Sequence, residues 1–197
     1  EQICHRLKTL LSHDRTIGSP SLLLQNIAYT LLIGRRFLPL RTTKVVQSLS
    51  QLNEWLPSAC NSSITANTRD NMCTIFSGQG YAIESPSCMF SSLAKLLPEF
   101  GNVVKKCCDI LEMAYPEHFT DLAEVLIQGT PMAHLQLDCI RIQHVLIVIY
   151  QVAIFSVLES SGYTPACVMG HSLGEYTAAY VAGLFSLENL LTIVFNR

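Results

Sequence analysis

The stretch that decides the fold is ACVMGHSLGEYTAAYVA, residues 166–182. It contains a Gly-x-Ser-x-Gly motif, Gly170 to Gly174, between an apolar run that predicts a strand and a run that predicts a helix. This order is typical of a nucleophile elbow, in which a sharp turn lifts the serine hydroxyl clear of the backbone. Glycines are expected there because side chains would collide across the turn. We predict that Ser172 is a nucleophile.

The helix predicted after the serine offers a second part of a catalytic site. The first N–H groups of a helix have no partner within the helix, and its N-terminus carries a partial positive charge. The backbone N–H of Leu173 therefore stands where a donor to an oxyanion is needed. A chance glycine turn is the other interpretation of the motif. The strand predicted before it and the helix predicted after it favour the catalytic one.

A serine nucleophile needs a base, and no histidine follows Ser172. The six histidines are His5, His13, His118, His134, His144 and His171. His171 adjoins Ser172, so its side chain leaves the turn in another direction, and a packing role is expected. In α/β folds with this elbow the histidine follows the serine. We therefore expect the base to lie outside this chain and the chain by itself to be inactive.

A second strand signal begins at Met72. The sequence MCTIFSGQG, residues 72–80, predicts a buried strand that ends in a turn flanked by glycines. Helices are predicted at 91–97, 100–113, 118–128, 135–160 and 186–197. Ser186 is the expected N-cap of the last one. Strands that alternate with helices are typical of an α/β fold, which we predict for residues 72–197.

The first 71 residues have a pattern of their own. Two helices and one strand are predicted, at 21–32, 48–56 and 43–46. Pro57 is expected to end the second helix. Residues 58–71 are small and polar with almost no apolar periodicity, which is typical of a linker. We therefore predict a small α+β unit over residues 1–71, separate from the unit over 72–197.

Composition excludes several classes of protein. The chain has 197 residues, is 49% hydrophobic and 14% charged, and has a formal net charge of −2. These values are typical of a globular protein, and the basic residues form no stripe of the kind that binds nucleic acid. The chain stops inside the last predicted helix and opens with residues that also look like the middle of a helix, so we expect it to be part of a longer protein.

The cysteines and the most apolar segment predict a cytoplasmic protein without a membrane span. The eight cysteines have no C-x-x-C spacing, and the chain opens without the apolar core of a signal peptide. We therefore expect reduced thiols and no metal site. The apolar run at 145–158 is shorter than the about 20 residues that a span needs. We expect it to form a buried helix, although Gln151 interrupts it.

Residues 170–197, GHSLGEYTAAYVAGLFSLENLLTIVFNR, are similar to the nucleophile segment of malonyl-CoA:acyl-carrier-protein transacylases. The acyltransferase domains of polyketide and fatty acid synthases share this segment. Residues 76–80, FSGQG, resemble the family's first strand and its GQG loop, and Arg197 stands where the family places an arginine. The chain departs from the family at His144, where proline is usual. The resemblance implies an α/β-hydrolase-like acyltransferase core, of which this chain holds the N-terminal part.

The resemblance implies a role for each of five residues. Ser172 would accept the acyl group, and the backbone N–H groups of Gln79 and Leu173 would form the oxyanion hole. Arg197 would hold the malonyl carboxylate, and Gln143 matches a family glutamine near the site. A guanidinium suits this role because its planar fork can hold a carboxylate through two parallel hydrogen bonds.

Residues 22–46 resemble the small linker domain that joins ketosynthase to acyltransferase in modular synthases. The similarity is carried by Ala28-Tyr29-Thr30-Leu31 and by Gly34-Arg35. The implied partners are malonyl-CoA or a related acyl-CoA, an acyl carrier protein, and a ketosynthase in the same chain. The implied reaction is ping-pong transfer through an acyl-serine. CoA and the phosphopantetheine arm are its substrates, so no bound cofactor is expected.

Two other classes of function stay open at this point. A serine hydrolase of the lipase or esterase type shares the elbow and passes the acyl group to water. It has no use for a carboxylate-binding arginine or for the linker unit. An acyltransferase-like scaffold without activity is the other alternative, and the intact GHSLGE and Arg197 count against it. The choice between malonyl and methylmalonyl groups is not determined by these residues.

Overall fold

A computed structural model describes two compact units. Its described residues are 2–13, 19–34, 38–59, 64–65, 72–79, 85–130 and 139–197. The units are Glu1–Asp70 and Asn71–Arg197. This division lies beside the boundary drawn from the sequence, between residues 71 and 72. Each unit is described by itself below.

The first unit combines three helices with one small sheet. Its elements are α1 (Gln2–His13), α2 (Pro20–Leu32), β1 (Leu40–Arg41), α3 (Leu49–Ala59) and β2 (Ile64–Thr65). Strands β1 and β2 pair antiparallel, with Leu40 opposite Thr65. The core of the unit is formed by Ile27 of α2 and by Leu52 and Leu56 of α3. Helix α2 begins one residue before its predicted start, and the Ser19 side chain caps it by accepting a hydrogen bond from the backbone N–H of Leu22 (3.3 Å).

Two predictions for this unit were wrong in detail. Residues 43–46 are irregular, and the strand is formed instead by Leu40–Arg41, which find a partner in Ile64–Thr65. Strand propensity is overridden here because a strand needs a neighbour to pair with. Helix α3 passes Pro57 and ends at Ala59. The Ser58 hydroxyl donates to the carbonyl of Trp55 (2.9 Å), so the last turn gains a bond that does not depend on the missing proline N–H.

Within its described residues, the second unit places two parallel strands beside six α-helices and one π-helix. Its elements are β3 (Cys73–Phe76), α4 (Pro86–Leu96), α5 (Pro98–Ala114), α6 (Pro116–Phe119), a one-turn π-helix (Glu124–Gln128), α7 (Ile140–Ser160), β4 (Cys167–Gly170), α8 (Gly174–Val181) and α9 (Leu187–Phe195). Strand β3 pairs with β4, and Phe76 stands opposite Gly170 at their carboxyl ends. Residues that follow the two strands therefore meet at one edge, where ligands bind in open α/β sheets.

Helix α7 is the central element of the second unit. It packs against α5 and α9, and 11 of its 21 residues are buried. It is also the one helix of the described ranges that is long and apolar enough to cross a membrane, a property that the core helices of soluble proteins share. The core around it includes Phe100 and Val104 of α5 and Leu190 and Val194 of α9, all fully buried. The predicted buried helix is confirmed from Ile140 onwards, and residues 135–138 lie outside the described residues.

The helix predicted over 118–128 is broken into two pieces. Helix α6 ends at Phe119, and Asp121 adopts a positive φ of 57°. The chain then forms the π-helix, which ends at Gly129 with φ 80°. A residue with positive φ cannot continue a right-handed helix, so the break falls there. The other helices predicted in this unit are confirmed with shifted ends, which is the usual uncertainty of helix boundaries.

Helix α9 is the helix for which the sequence predicts an N-cap at Ser186. The Ser186 hydroxyl accepts a hydrogen bond from the backbone N–H of Asn189 (3.2 Å), so the N-cap is confirmed. We predict that Ser186→Ala lowers the free energy of unfolding by about 1 kcal/mol, because that N–H loses its acceptor. Urea denaturation followed by circular dichroism measures it. Ser92→Ala, at an exposed position within α4, is the control and should change stability by only a few tenths of a kcal/mol. Equal effects of the two variants would contradict the cap.

Candidate active site

The motif serine has an unusual backbone conformation. Ser172 lies between β4 and α8 with a φ of 54°, in the left-handed region. Among the described residues other than glycine, only Asp121 shares a positive φ. Such a conformation costs free energy and persists only where the surroundings enforce it, and it is concentrated at functional sites. The local geometry is therefore that of a nucleophile elbow.

Three glycines let the backbone segments of the elbow approach closely. A Cβ added to Gly170 would overlap the backbone nitrogen of Glu175, and one added to Gly174 would overlap the carbonyl oxygen of Phe76. A Cβ at Gly78 would lie 2.7 Å from the carbonyl oxygen of His171. The structure therefore confirms why glycine is needed at Gly170 and Gly174, since a side chain at either position would collide across the turn. Gly78 belongs to the loop after β3, and its contact was not anticipated.

Backbone hydrogen bonds hold the elbow against the end of β3. The N–H of His171 donates to the carbonyl of Phe76 (3.0 Å), which extends the pairing of the two strands by one bond. The turn is closed by the N–H of Gly174, which donates to the carbonyl of His171 (3.0 Å). The N–H of Glu175 donates to the carbonyl of Ser172 (3.2 Å) and begins the helix. The serine is therefore fixed from both sides.

The two N–H groups expected to bind an oxyanion are both available. Gln79 follows Gly78 in the loop after β3, and Leu173 is the first residue after the serine. Within the described ranges, neither backbone N–H donates a hydrogen bond. The side chain of Leu173 is fully buried in the core, which anchors the start of α8. Free N–H groups on two segments that touch are what an oxyanion hole requires.

A buried polar bridge joins these two segments. The Gln151 side chain, in the middle of α7, donates to the carbonyl of Ser77 (2.7 Å). Its carboxamide oxygen accepts a hydrogen bond from the hydroxyl of Thr177 (2.7 Å), which is fully buried on α8. In the sequence, Gln151 stands out only as an interruption of an apolar run, and its hydrogen bond with Thr177 was not predicted. A single amide in the most apolar segment of the chain was the available signal.

Arg197 lies over an aromatic ring of α8, the helix that follows Ser172. Its guanidinium carbon is 5.5 Å from the ring centre of Tyr176, a cation–π distance. Tyr176 lies in the first turn of α8, the helix that begins two residues after Ser172. Arg197 has no carboxylate partner among the described residues. The predicted carboxylate-binding residue thus contacts the helix that follows the serine.

Gln143 and His144 lie in the first turns of α7. Gln143 is partly buried, and its backbone N–H donates to the carbonyl of Cys139 (3.1 Å). The His144 ring is buried, and in the described part of the chain neither of its nitrogens has a hydrogen-bond partner. Burial, with a smaller effect of the Arg197 charge, lowers the pKa of His144. His144 is therefore a neutral residue of the core.

The cysteines of the described residues provide no competing nucleophile in the core. Among the described cysteines, Cys73, Cys88, Cys107, Cys108, Cys139 and Cys167 form no disulfide. Burial raises the pKa of the Cys107 thiol to about 12, and it also raises the pKa of Cys108. Protonated, buried thiols are inert. No group of three or more potential metal ligands occurs within the described ranges.

The overall likeness of the chain is to acyltransferase domains of polyketide synthases. The structure superposes on the acyl transferase domain of ZmaA with a TM-score of 0.77 and 24% identity, over 100% of this chain and 44% of that one. Residues 74–197 match the family described as "Acyl transferase domain". The chain belongs to this family.

Relatives in sequence and structure agree with this family. The chain is 32% identical to the non-reducing polyketide synthase hmp3 of Hypomyces subiculosus over 174 residues, which is 88% of this chain and 8% of that protein. A solved complex of a type II polyketide synthase acyl-carrier protein with its malonyl-transacylase, PlMCAT:AntF, matches with a TM-score of 0.50 and 25% identity. It covers 64% of this chain and 37% of that one. The chain therefore spans less than half of the solved domains that it matches and under a tenth of that synthase.

The close approach at Gly174 can be tested by a single methyl group. We predict that Gly174→Ala lowers the free energy of unfolding by about 3 kcal/mol, because the added Cβ meets the backbone at the end of β3. Urea denaturation followed by circular dichroism measures it. Gly101→Ala is the matched control, since Gly101 is also helical and its Cβ would be 3.3 Å from the nearest atom, the Ala94 side chain. It should change stability by less than about 1 kcal/mol. Similar values for both variants would show that the elbow yields to the extra atom.

Proposed function

We propose that this chain carries the nucleophile of an acyltransferase that moves a malonyl-type group from CoA to an acyl carrier protein. The acyl group is held on Ser172 as an ester between the two half-reactions. The proposal places the chain in the α/β-hydrolase-like core of a polyketide synthase acyltransferase domain. The observation that carries it is the positive φ of Ser172 at the turn, together with the N–H groups of Gln79 and Leu173, which donate no hydrogen bond among the described residues.

The first half-reaction forms the acyl-serine. The Ser172 oxygen attacks the thioester carbonyl carbon of malonyl-CoA while a base removes its proton. Negative charge develops on the carbonyl oxygen, and the N–H groups of Gln79 and Leu173 stabilise it. The carbon–sulfur bond then breaks, the CoA sulfur takes the proton, and an acyl-serine remains.

The second half-reaction reverses these steps with another thiol. The phosphopantetheine thiol of the carrier protein attacks the acyl-serine ester, and Ser172 regains its proton. CoA and the carrier arm act as substrates, so the reaction needs no bound cofactor. The base is proposed to be a histidine outside this chain. His144 does not suit the role, because both of its ring nitrogens are buried and neither has a hydrogen-bond partner among the described residues.

Arg197 is proposed to select an acyl group that ends in a carboxylate. Arg197 is exposed, and its guanidinium lies over the ring of Tyr176. The ring covers one face of the guanidinium, and the N–H groups along its edge can donate to a carboxylate. Gln143 is proposed as a further contact near the acyl group. A simple esterase has no use for such a clamp, which makes substrate choice the sharpest distinction between the two classes.

The first unit is proposed to be the linker between a ketosynthase and this acyltransferase. Its support is the similarity of residues 22–46 to such linkers and the small α+β architecture of Glu1–Asp70. The matched synthase hmp3 is far longer than this chain, since 174 aligned residues make up 8% of it. The carrier protein as partner is supported by the solved carrier–transacylase complex that matches the second unit's fold.

The acyl-serine is tested by labelling the whole protein. We predict that malonyl-CoA leaves a malonyl group on Ser172, detected by mass spectrometry after digestion, because the elbow exposes this hydroxyl to the thioester. Ser172→Ala should carry no label and should remain folded. Ser161→Ala, which removes an exposed hydroxyl after α7, should be labelled as the wild type is. A label on another residue, or none on the wild type, would refute the proposal.

The carboxylate clamp is tested by comparing two substrates. We predict that Arg197→Ala lowers kcat/KM for malonyl-CoA by roughly 30- to 5,000-fold, which corresponds to about 2–5 kcal/mol for a lost charge pair. Acetyl-CoA has no carboxylate, so its kcat/KM should stay level or rise. Arg197→Lys should show a partial loss with malonyl-CoA, because an ammonium keeps the charge and lacks the fork.

Two outcomes of this experiment would speak against the clamp. Equal losses for malonyl-CoA and acetyl-CoA would mean that Arg197 is structural. Little loss for either substrate, together with rapid transfer of the acyl group to water, would favour the esterase alternative.

A further inference from the structure

Gln151 is a buried polar residue that takes no part in the proposed reaction. It lies near the middle of α7, where its neighbours Ile149 and Val152 belong to the apolar core, and its exposure is only 9%. A carboxamide costs free energy when it is buried unless both its donor and its acceptor are satisfied. An apolar side chain of similar length would fill the same space without that requirement. The arrangement of its hydrogen bonds is therefore informative.

The two ends of the carboxamide contact two different segments. The Nε2 group donates to the Ser77 carbonyl at 2.7 Å, and the Ser77 hydroxyl oxygen is 3.4 Å away. The Oε1 atom accepts from the Thr177 hydroxyl at 2.7 Å. Ser77 directly follows β3, and Thr177 is on α8. One side chain thus connects the loop after β3 to the helix that begins at the elbow.

Each of these segments carries one of the two free N–H groups. The Ser77 carbonyl belongs to the peptide that precedes Gly78, and the next peptide carries the N–H of Gln79. Thr177 is four residues, or about one helical turn, after Leu173. The contact between Gly78 and the His171 carbonyl sets how close the two segments come. The Gln151 bridge sets their relative position from the side of the core.

We propose that Gln151 is a positioning residue of the oxyanion hole, which holds the N–H groups of Gln79 and Leu173 at the separation that one oxyanion needs. This inference rests on the proposed function. An oxyanion donor acts at about 2.7–3.1 Å from the oxygen, so a small displacement of one segment weakens its bond. A misplacement of about 1 Å can cost about 100-fold in rate. Gln151 acts through the backbone and does not touch the substrate.

The test uses the full-length protein and separates chemistry from binding. Gln151→Met keeps the length of the side chain and removes both hydrogen bonds. The rate constant for acylation of Ser172 by malonyl-CoA, measured in single turnovers, should fall about 10- to 100-fold. The Kd of malonyl-CoA, measured in Ser172→Ala and in the double variant with Gln151→Met, should agree within about twofold, because the ground state gains little from the oxyanion hole.

Two control variants distinguish positioning from stability. Ile147→Val removes one methylene from a buried position on the same helix and should lower the melting temperature while acylation keeps its wild-type rate. Thr177→Val keeps the shape of the threonine and removes the hydroxyl that orients the amide. It should slow acylation less than Gln151→Met does, and the double variant should be no slower than Gln151→Met alone.

The outcomes separate this inference from the proposed function. A wild type that labels Ser172 and a Gln151→Met variant that labels it equally fast overturn the positioning role alone. Two other results also overturn it. One is a Gln151→Met effect that appears equally in the Kd of malonyl-CoA. The other is an acylation rate that falls as far in Ile147→Val as in Gln151→Met when the two variants have the same melting temperature. A wild type that forms no acyl-Ser172 overturns the proposed function and, with it, this inference.

Discussion

The candidate site depends on one close backbone contact, that between Gly174 and the end of β3. No Cβ fits between them, since it would overlap the carbonyl oxygen of Phe76. This approach brings the start of α8 onto the loop after the neighbouring strand, and the bond from His171 to Phe76 holds it there. Because the turn is held so tightly, Ser172 can keep a conformation that an isolated peptide would avoid. The N–H groups of Gln79 and Leu173, which donate no hydrogen bond within the described ranges, belong to these two segments.

The packing of α7 supplies the support for this contact. The helix is buried along most of its length, and its apolar residues hold α5 and α9 around it. Its one central amide faces the site and is satisfied there by Ser77 and Thr177. The same helix therefore stabilises the unit through apolar packing and connects the two halves of the site through hydrogen bonds. Rigidity of this kind is what preorganised catalytic dipoles require.

Local signals of the sequence were sufficient for the elbow and for most elements around it. Some features depend only on residues that are close together in the sequence, so they could be predicted. These are the Gly-x-Ser-x-Gly motif, the strand before it and the cap at Ser186. The Gln151 bridge could not be predicted, because its partner Ser77 is 74 positions away in the chain. The strand at Leu40–Arg41 was missed for a similar reason, because it is decided by pairing with Ile64–Thr65 rather than by propensity.

The N–H groups of Gln79 and Leu173 are proposed to receive the oxygen of an acyl group carried by Ser172. A crystal structure of the whole acyltransferase domain, trapped as the malonyl-serine, measures this directly. We predict that the ester carbonyl oxygen lies within about 3.1 Å of both backbone nitrogens. A carbonyl oxygen that faces solvent, or that is bound by side chains away from these two nitrogens, would contradict it.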